Sequence, residues 1–190
     1  MGGWARLAGR FDAAFDAVLG WDERAMRVVS DSSALRRFSR LFITASYLGD
    51  GYLWGGLGLG LILFGRSSDR LNVLIALAIT IVNVAVFRFL KVLVGRQRPD
   101  GNGGTIIRFR TIDTHAFPSG HATTSFSLAW LVSVTYPHPV SVAGVYVVAA
   151  TIAFSRIYVR EHYPLDVLVG AALGTVTSAT LLPFFRWLFF

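Results

Sequence analysis

Long runs of apolar residues, interrupted by few charges, are the feature that most limits how this chain can fold. A helix needs about 20 apolar residues to cross the hydrocarbon core of a bilayer, and 54% of the 190 residues are hydrophobic. Candidate spans lie at 41–64, 71–94, 121–136, 139–157 and 165–185. The sequence therefore predicts an all-α fold, a polytopic transmembrane bundle of five or six spans in one membrane-embedded domain, 1–190.

The N-terminal segment 11–29 has a different character. It repeats apolar residues at helical spacing but also carries Asp12, Asp16, Asp22, Glu23, Arg24 and Arg27. This combination is typical of a helix that lies in the membrane interface. No signal-peptide cleavage pattern precedes the first span, so we expect the chain to be retained whole. The absence of cysteine excludes disulfides, thiol nucleophiles and thiolate metal sites.

The formal net charge of +7 comes mostly from arginine, in two groups. The N-terminal group suits anionic lipid headgroups. It comprises Arg6, Arg10, Arg24, Arg27, Arg36, Arg37 and Arg40. The second group surrounds the polar clusters described next and suits a phosphate pocket. Nucleic acid is a poor partner for either group, because the arginines lie at the ends of apolar runs and not on a soluble face.

Three short polar clusters lie at the ends of the predicted spans. They are Lys91 with Arg98-Pro99, then Pro118-Ser119-Gly120-His121, then Ser155-Arg156 with His162 and Asp166. Consecutive spans alternate in direction, so the end of the second span, the start of the third, the end of the fourth and the start of the fifth share one side. We therefore expect the three clusters to converge on one site.

The first cluster supplies two cations. Lys91 and Arg98 are two helical turns apart, so both are expected to project toward one locus where the second span leaves the lipid. Arginine offers a planar fork for phosphate oxygens, and lysine a point charge. Alternatively, both residues are anchors that snorkel to the interface.

The second cluster follows a proline and opens an apolar helix. Unpaired backbone N–H groups and the positive end of the helix dipole make such a helix start an anion site. Ser119 could instead serve as a helix cap.

The third cluster joins a cation, an imidazole and a carboxylate. His162 and Asp166 are four residues apart, which predicts neighbours on one helical face. A carboxylate bound to one ring nitrogen fixes the tautomer and leaves the other nitrogen to attack. Arg156 adds a third cation to the site. The alternative is a structural His-Asp pair at a helix entrance.

Taken jointly, these clusters and their spacings resemble the type 2 phosphatidic acid phosphatase superfamily of membrane lipid phosphatases, whose pocket is shared with vanadium haloperoxidases. The resemblance covers 87–174 and includes all three family motifs. It implies that the substrate phosphate is bound by Lys91, Arg98, Ser119, Gly120 and Arg156. It also implies that His162 attacks phosphorus to form a phosphohistidine, that Asp166 orients it, and that His121 protonates the leaving oxygen and then activates water.

The same resemblance implies a hydrolase that uses no metal or other cofactor. Its substrate would be a lipid phosphate or diphosphate, bound at the membrane-water boundary. Polyprenyl diphosphate is favoured, while phosphatidic acid, phosphatidylglycerophosphate and lipid A 1-phosphate also fit. One alternative is a lipid-to-lipid phosphotransferase, and another is a catalytically silent lipid-binding or transport protein. A haloperoxidase is disfavoured, although vanadate should inhibit.

Sidedness and assembly stay open. Relatives commonly work on the outer face of the cell membrane, which is the location we favour for a chain in the inner membrane. The N-terminal arginine excess indicates the cytoplasmic side instead. The sequence does not fix the oligomeric state.

Several further residues have no settled role. Asp50, inside the first predicted span, is expected to pair with Arg88 or to contact a headgroup. Arg108, Arg110, Asp113 and His115 are expected either to contact a headgroup or to form a solvated loop, and Arg160 to reach phosphate or a lipid headgroup. His138, in the turn on the opposite side, is not expected to take part in catalysis.

Overall fold

The computed structural model describes residues 2–99 and 115–189, with side chains described from Asp12 onward. Within these ranges the chain forms seven α-helices and a 3-10 turn, Arg36–Phe38. The helices are α1 (Gly2–Ser30), α2 (Ser39–Leu48), α3 (Tyr52–Phe64), α4 (Ser67–Val94), α5 (Gly120–Thr135), α6 (Pro139–Tyr158) and α7 (Pro164–Phe189). The predicted all-α class is confirmed for the part of the chain that is described.

The predicted first span, 41–64, is two helices and not one. The chain leaves α2 at Leu48 and enters α3 at Tyr52. Between them, Gly51 has a φ of 114°, in the left-handed region that favours glycine. The expectation of one continuous helix was therefore wrong, because the sequence Gly49-Asp50-Gly51 interrupts it.

The described residues include three helices that are long and apolar enough to cross a membrane: α4, α6 and α7. The 13 residues of α3 and the 16 residues of α5 make shorter helices. The fold is thus a helical bundle of the membrane type. A count of five or six spans remains a prediction.

Helix α5 is the centre of the bundle and packs against α4, α6 and α7. Its buried hydroxyl side chains, those of Thr123, Ser125 and Ser127, are all hydrogen-bonded. Asn83 Nδ2 donates to Ser127 Oγ at 3.0 Å, and Ser127 Oγ lies 2.6 Å from Ser178 Oγ. Hydrogen bonds of this kind hold helices together where lipid gives no hydrophobic drive for their association.

Helix α1 covers the predicted amphipathic segment 11–29 and contacts α6 and α7. Met26 lies in a buried cluster with Ala153, Ile157 and Val167. Asp22 is fully buried. One face of α1 is therefore docked on the bundle, while its position in the membrane interface remains a prediction.

Candidate active site

The start of α5 carries the second cluster. Ser119 is the N-cap, and its Oγ accepts a hydrogen bond from the Ala122 amide at 3.5 Å. The Ser119 amide donates to the backbone carbonyl of Asp166 at 2.9 Å, which joins the starts of α5 and α7. A Cβ added at Gly120 would lie 3.0 Å from the Phe87 ring. Ser119 therefore caps α5, as considered in the sequence analysis. The start of α5 lies next to Asp166 of the third cluster.

Lys91 is buried in the last turn of α4, where its Nζ donates to the His115 carbonyl at 2.7 Å. Arg98 does not continue this helix. Because α4 ends at Val94 and Gly95 adopts a left-handed φ of 64°, the two-turn spacing that placed Arg98 on the helix was wrong. A loop carries Arg98 into the site, where it pairs with the buried carboxylate of Glu161.

Arg156 lies buried in the last turn of α6. Its Nη1 donates to Ser46 Oγ at 2.5 Å, and its Nη2 lies 3.6 Å from Glu161 Oε2. Glu161 therefore faces two of the three predicted phosphate-binding cations. This carboxylate was given no role in the sequence analysis.

His162 lies in the short connection between α6 and α7 and is 2% exposed. It precedes α7, so the expectation that His162 and Asp166 share a helical face was wrong. The two residues are nevertheless close, with Nδ1 of the imidazole 3.8 Å from Asp166 Oδ2. No described residue forms a hydrogen bond with this Nδ1.

Asp166 is held by two other donors. Its Oδ1 accepts from Arg96 Nη1 at 2.6 Å, and its Oδ2 accepts from the Tyr163 amide at 2.8 Å. Arg96 also binds Asp22 Oδ2 at 2.7 Å and lies 4.2 Å from the centroid of the Tyr163 ring. Helix α1 is thereby linked to the candidate catalytic carboxylate.

Burial is the main reason that the pKa of His162 lies well below its usual value. The positive charges of Arg156, Arg98 and Lys91 lower this pKa further. The imidazole is consequently neutral at pH 7. A neutral imidazole has a lone pair to donate, which is the form that a nucleophile requires.

His121, in the first turn of α5, meets the break between α2 and α3. Its Nε2 lies 2.9 Å from Asp50 Oδ1 and 3.3 Å from the Ser46 carbonyl. The suggested pairing of Asp50 with Arg88 was wrong, because Arg88 is exposed on α4 and Asp50 faces the imidazole. The structure gives Asp50 a partner within the site.

Two other residues considered in the sequence analysis, Arg160 and His138, have no position in the catalytic centre described above. Arg160 has a φ of 62°, pairs with Asp31 and donates to Ser30 Oγ at 3.1 Å, so it holds the end of α1. His138 is the residue before α6, at the opposite end of that helix from Arg156. Residues 108, 110 and 113 lie outside the described residues.

Sequence reasoning assigned no site role to Asp22, Ser46, Arg96 or Glu161. For two of them the sequence position indicated that they are near the site, because Arg96 lies inside the first cluster and Glu161 immediately precedes His162. Asp22 and Ser46 are far from every cluster in sequence. In the described ranges, no group of three or more His, Cys, Asp or Glu side chains is arranged to bind a metal ion.

Comparison with known proteins gives a consistent picture. The family model described as "PAP2 superfamily" matches residues 72–190. A decaprenylphosphoryl-5-phosphoribose phosphatase of Mycobacterium tuberculosis is 38% identical over 106 residues, which are 56% of this chain and 57% of that protein. An undecaprenyl-diphosphatase of Sulfolobus acidocaldarius is 28% identical over 141 residues, or 73% of this chain and 66% of that protein. The chain thus spans little more than half the length of the first of these relatives.

Two crystal structures share the fold. A PAP2-type phosphatidylglycerolphosphate phosphatase from Bacillus subtilis superposes with a TM-score of 0.70 at 21% identity, covering 88% of this chain and 86% of that one. LpxE of Aquifex aeolicus superposes with a TM-score of 0.65 at 24% identity, covering 84% and 93%. At these identities the likeness concerns the fold.

Proposed function

The chain belongs to the PAP2 superfamily, and from this membership we propose that it hydrolyses the phosphate ester or diphosphate of a membrane lipid. The main support for this function is that His162, buried and neutral, lies among Lys91, Arg98 and Arg156. The three cations suit a phosphate group, and the uncharged imidazole suits attack on its phosphorus.

In the first step, the lone pair of His162 Nε2 attacks phosphorus and the bond to the lipid oxygen breaks. Nε2 is the attacking atom because Nδ1 faces Asp166. The leaving oxygen takes its proton from the His121 imidazolium, and a phosphohistidine forms. The negative charge of Asp166 offsets the positive charge that develops on the His162 ring.

In the second step, His121 removes a proton from a water molecule, whose oxygen attacks phosphorus and breaks the N–P bond. Orthophosphate is released and His162 regains its lone pair. Lys91, Arg98 and Arg156, with the Ser119 hydroxyl and the Gly120 amide, stabilise the charge on the phosphoryl oxygens in both steps. Donors of this type contribute about 10²- to 10³-fold each, and general acid-base catalysis contributes about 10²- to 10⁴-fold. The reaction is proposed to need no metal.

For the substrate, we favour a polyprenyl diphosphate. Two relatives are named for phosphates carried on polyprenyl chains, in support of that class. Others are named for lipid A phosphates, and a structural neighbour for phosphatidylglycerolphosphate. The cations described above are proposed to bind the phosphate that all of these share, so phosphatidic acid, phosphatidylglycerophosphate and lipid A 1-phosphate belong in the same test.

The decisive experiment measures phosphate release from these lipids in detergent with excess chelator. Wild type is compared with His162→Ala and, as a matched control, with His138→Ala at the opposite end of the bundle. We expect release by wild type and by the control, and none by His162→Ala. Release without an acceptor lipid argues against a phosphotransferase. No release from any lipid by folded wild type would overturn the proposal in favour of phosphotransfer or lipid binding.

We also propose that the active site faces the outside of the cell membrane. Because the chain has no cysteine, single cysteines report sidedness without interference. Ser33 is close to the Asp31–Arg160 pair, at the end of the bundle that contains the candidate site. Ser68 is in the first turn of α4, at the opposite end of the bundle. Each is replaced by cysteine in a separate variant, Ser33→Cys and Ser68→Cys. A membrane-impermeant thiol reagent added to intact cells should label Ser33→Cys alone, and the reverse pattern would place the site inside.

A further inference from the structure

Asp50 was not assigned a single role in the sequence analysis. This residue lies outside the region matched by the family model. It occupies the break between α2 and α3, in the sequence Gly49-Asp50-Gly51. Two positions in this break require glycine. A Cβ at Gly49 would lie 2.7 Å from His121 Cδ2, and Gly51 has a φ of 114°. The interruption therefore brings the backbone against the His121 ring.

The contact between the two side chains is direct. Nε2 of His121 lies 2.9 Å from Asp50 Oδ1, a distance typical of a hydrogen bond to a carboxylate. The Ser46 carbonyl, 3.3 Å from the same nitrogen, is a second acceptor. Two acceptors at one nitrogen require that Nε2 carry the proton. Nδ1 is then the nitrogen that can exchange a proton with a substrate.

The surroundings of His121 explain why a carboxylate is useful there. The other charged and titratable groups that face this ring are Arg156, from α6, and His162, from the connection to α7. Burial and the charge of Arg156 oppose a positive charge on His121, yet a general acid must carry one. Asp50 is the group that offsets it.

The pair also has a defined place relative to the lipid. Gly51, the next residue, lines an apolar cavity of about 400 Å³ between α3, α4 and α5. Asp50 is therefore next in the chain to a residue that borders apolar space. A leaving group that carries a lipid chain would depart on this side.

We infer that Asp50 is the positioning carboxylate of His121, holding Nε2–H so that Nδ1 donates a proton to the leaving lipid oxygen and later accepts one from water. The inference rests on the proposed phosphatase function. The site then contains two imidazole-carboxylate pairs: His162 with Asp166 for attack, and His121 with Asp50 for proton transfer. The second carboxylate comes from a segment that the three family motifs do not include.

The test uses the dependence of the rate on the leaving group. Asp50→Asn keeps the shape of the side chain and removes its charge. Phenyl phosphate and p-nitrophenyl phosphate have similar shapes, but only the first leaves as a strongly basic oxyanion that needs a general acid. We expect Asp50→Asn to lower kcat about 100-fold for phenyl phosphate and for the best lipid substrate. We expect less than about threefold loss for p-nitrophenyl phosphate and little change in KM.

Two comparisons separate proton transfer from a structural role. His121→Ala should show the same discrimination between the two aryl phosphates, and the double variant should be no slower than His121→Ala alone, since residues that act as a unit are not additive. A structural role for Asp50 would lower both rates equally. Faster turnover in Asp50→Asn would mean that the carboxylate blocks the substrate. Either result overturns the inference.

A measurement without substrate keeps the inference separate from the proposed function. In protein labelled with ¹⁵N-histidine, a protected ring N–H signal should be present in wild type, absent from His121→Ala and shifted upfield in Asp50→Asn, because an amide or carbonyl oxygen is a weaker acceptor than a carboxylate. If wild type releases no phosphate but this signal behaves as described, the pair exists and the phosphatase proposal alone fails. If the signal keeps its wild-type chemical shift in Asp50→Asn, the pairing is wrong whatever the enzyme does.

Discussion

Nδ1 of His162 lies 3.8 Å from Oδ2 of Asp166, beyond hydrogen-bonding distance. Asp166 is nevertheless fixed, because Arg96 and the Tyr163 amide bind its two oxygens. Catalytic hydrogen bonds are often long in ligand-free sites and shorten when the substrate binds. The orientation of the carboxylate therefore depends on Arg96, and through Arg96 on Asp22 of α1.

Replacing Arg96 should consequently impair catalysis without removing a phosphate ligand. Arg96→Gln leaves two fully buried carboxylates, Asp22 and Asp166, without their shared cation. We expect kcat to fall by about 100-fold, the size of effect that small misplacements of catalytic groups produce, with a smaller change in KM. Steady-state kinetics on the best lipid substrate measures both parameters.

Controls distinguish positioning from general destabilisation. Arg96→Lys restores the charge and should recover part of kcat. Arg27→Gln removes an exposed ion pair with Glu23 and should leave activity at the wild-type level. Equal losses in Arg96→Gln and Arg96→Lys, accompanied by equal losses of thermal stability, would indicate a structural role alone.

Glu161 should weaken the binding of small anions. Its buried carboxylate pairs with Arg98 and lies 3.6 Å from Arg156 Nη2, so it competes with phosphate for the same guanidinium groups. We expect Glu161→Gln to bind orthophosphate and vanadate about tenfold more tightly, the range expected for a hydrogen bond to a charged group. Inhibition constants for both anions measure the effect.

The same variant should be less stable without ligand, because two buried guanidinium groups lose a counter-ion. Saturating phosphate should then raise its unfolding temperature by more than it raises that of wild type. Glu23→Gln, in a half-exposed pair, is the matched control. Weaker phosphate binding in Glu161→Gln would show that Glu161 instead holds the arginines in place.

The buried imidazole predicts how stability depends on pH. The pKa of His162 is lowered in the folded protein, chiefly by burial and then by Arg156 and Arg98. As the pH falls below about 6.5, the unfolded chain takes up a proton at this residue before the folded protein does. Stability should therefore fall with decreasing pH, and His162→Gln should reduce this slope. Denaturant unfolding at a series of pH values measures it, and identical slopes for both proteins would contradict the assignment.

Much of the candidate site could be predicted because its residues lie in short clusters at helix ends. Lys91, Ser119, His121, Arg156, His162 and Asp166 are brought together at one end of the bundle, as alternating helices require. The length of the apolar runs was enough to place these helices. The conclusion depended on helix direction and not on exact boundaries.

What the sequence did not reveal depends on backbone breaks and distant pairs. Leu48 and Tyr52 lie in one apolar run, so hydropathy hides the turn at Gly51 that brings Asp50 to His121. Asp22 and Arg96 are 74 residues apart, and nothing local marks them as partners. Such pairs follow from the packing of whole helices, which no short pattern encodes.

The contact between α5 and α7 provides the last prediction, because these helices carry His121 and Asp166. A Cβ at Gly174 would overlap the carbonyl oxygen of Thr123, a backbone atom that cannot rotate away. Gly174→Ala should therefore force the helices apart and destabilise the protein by about 1–3 kcal/mol, with a parallel loss of activity. Gly144→Ala in α6, where nothing lies within 4 Å, is the control and should stabilise slightly, since alanine favours the helix. Thermal unfolding of both variants tests the contact, and equal stability of the two would show that α5 and α7 are not in close contact at this point.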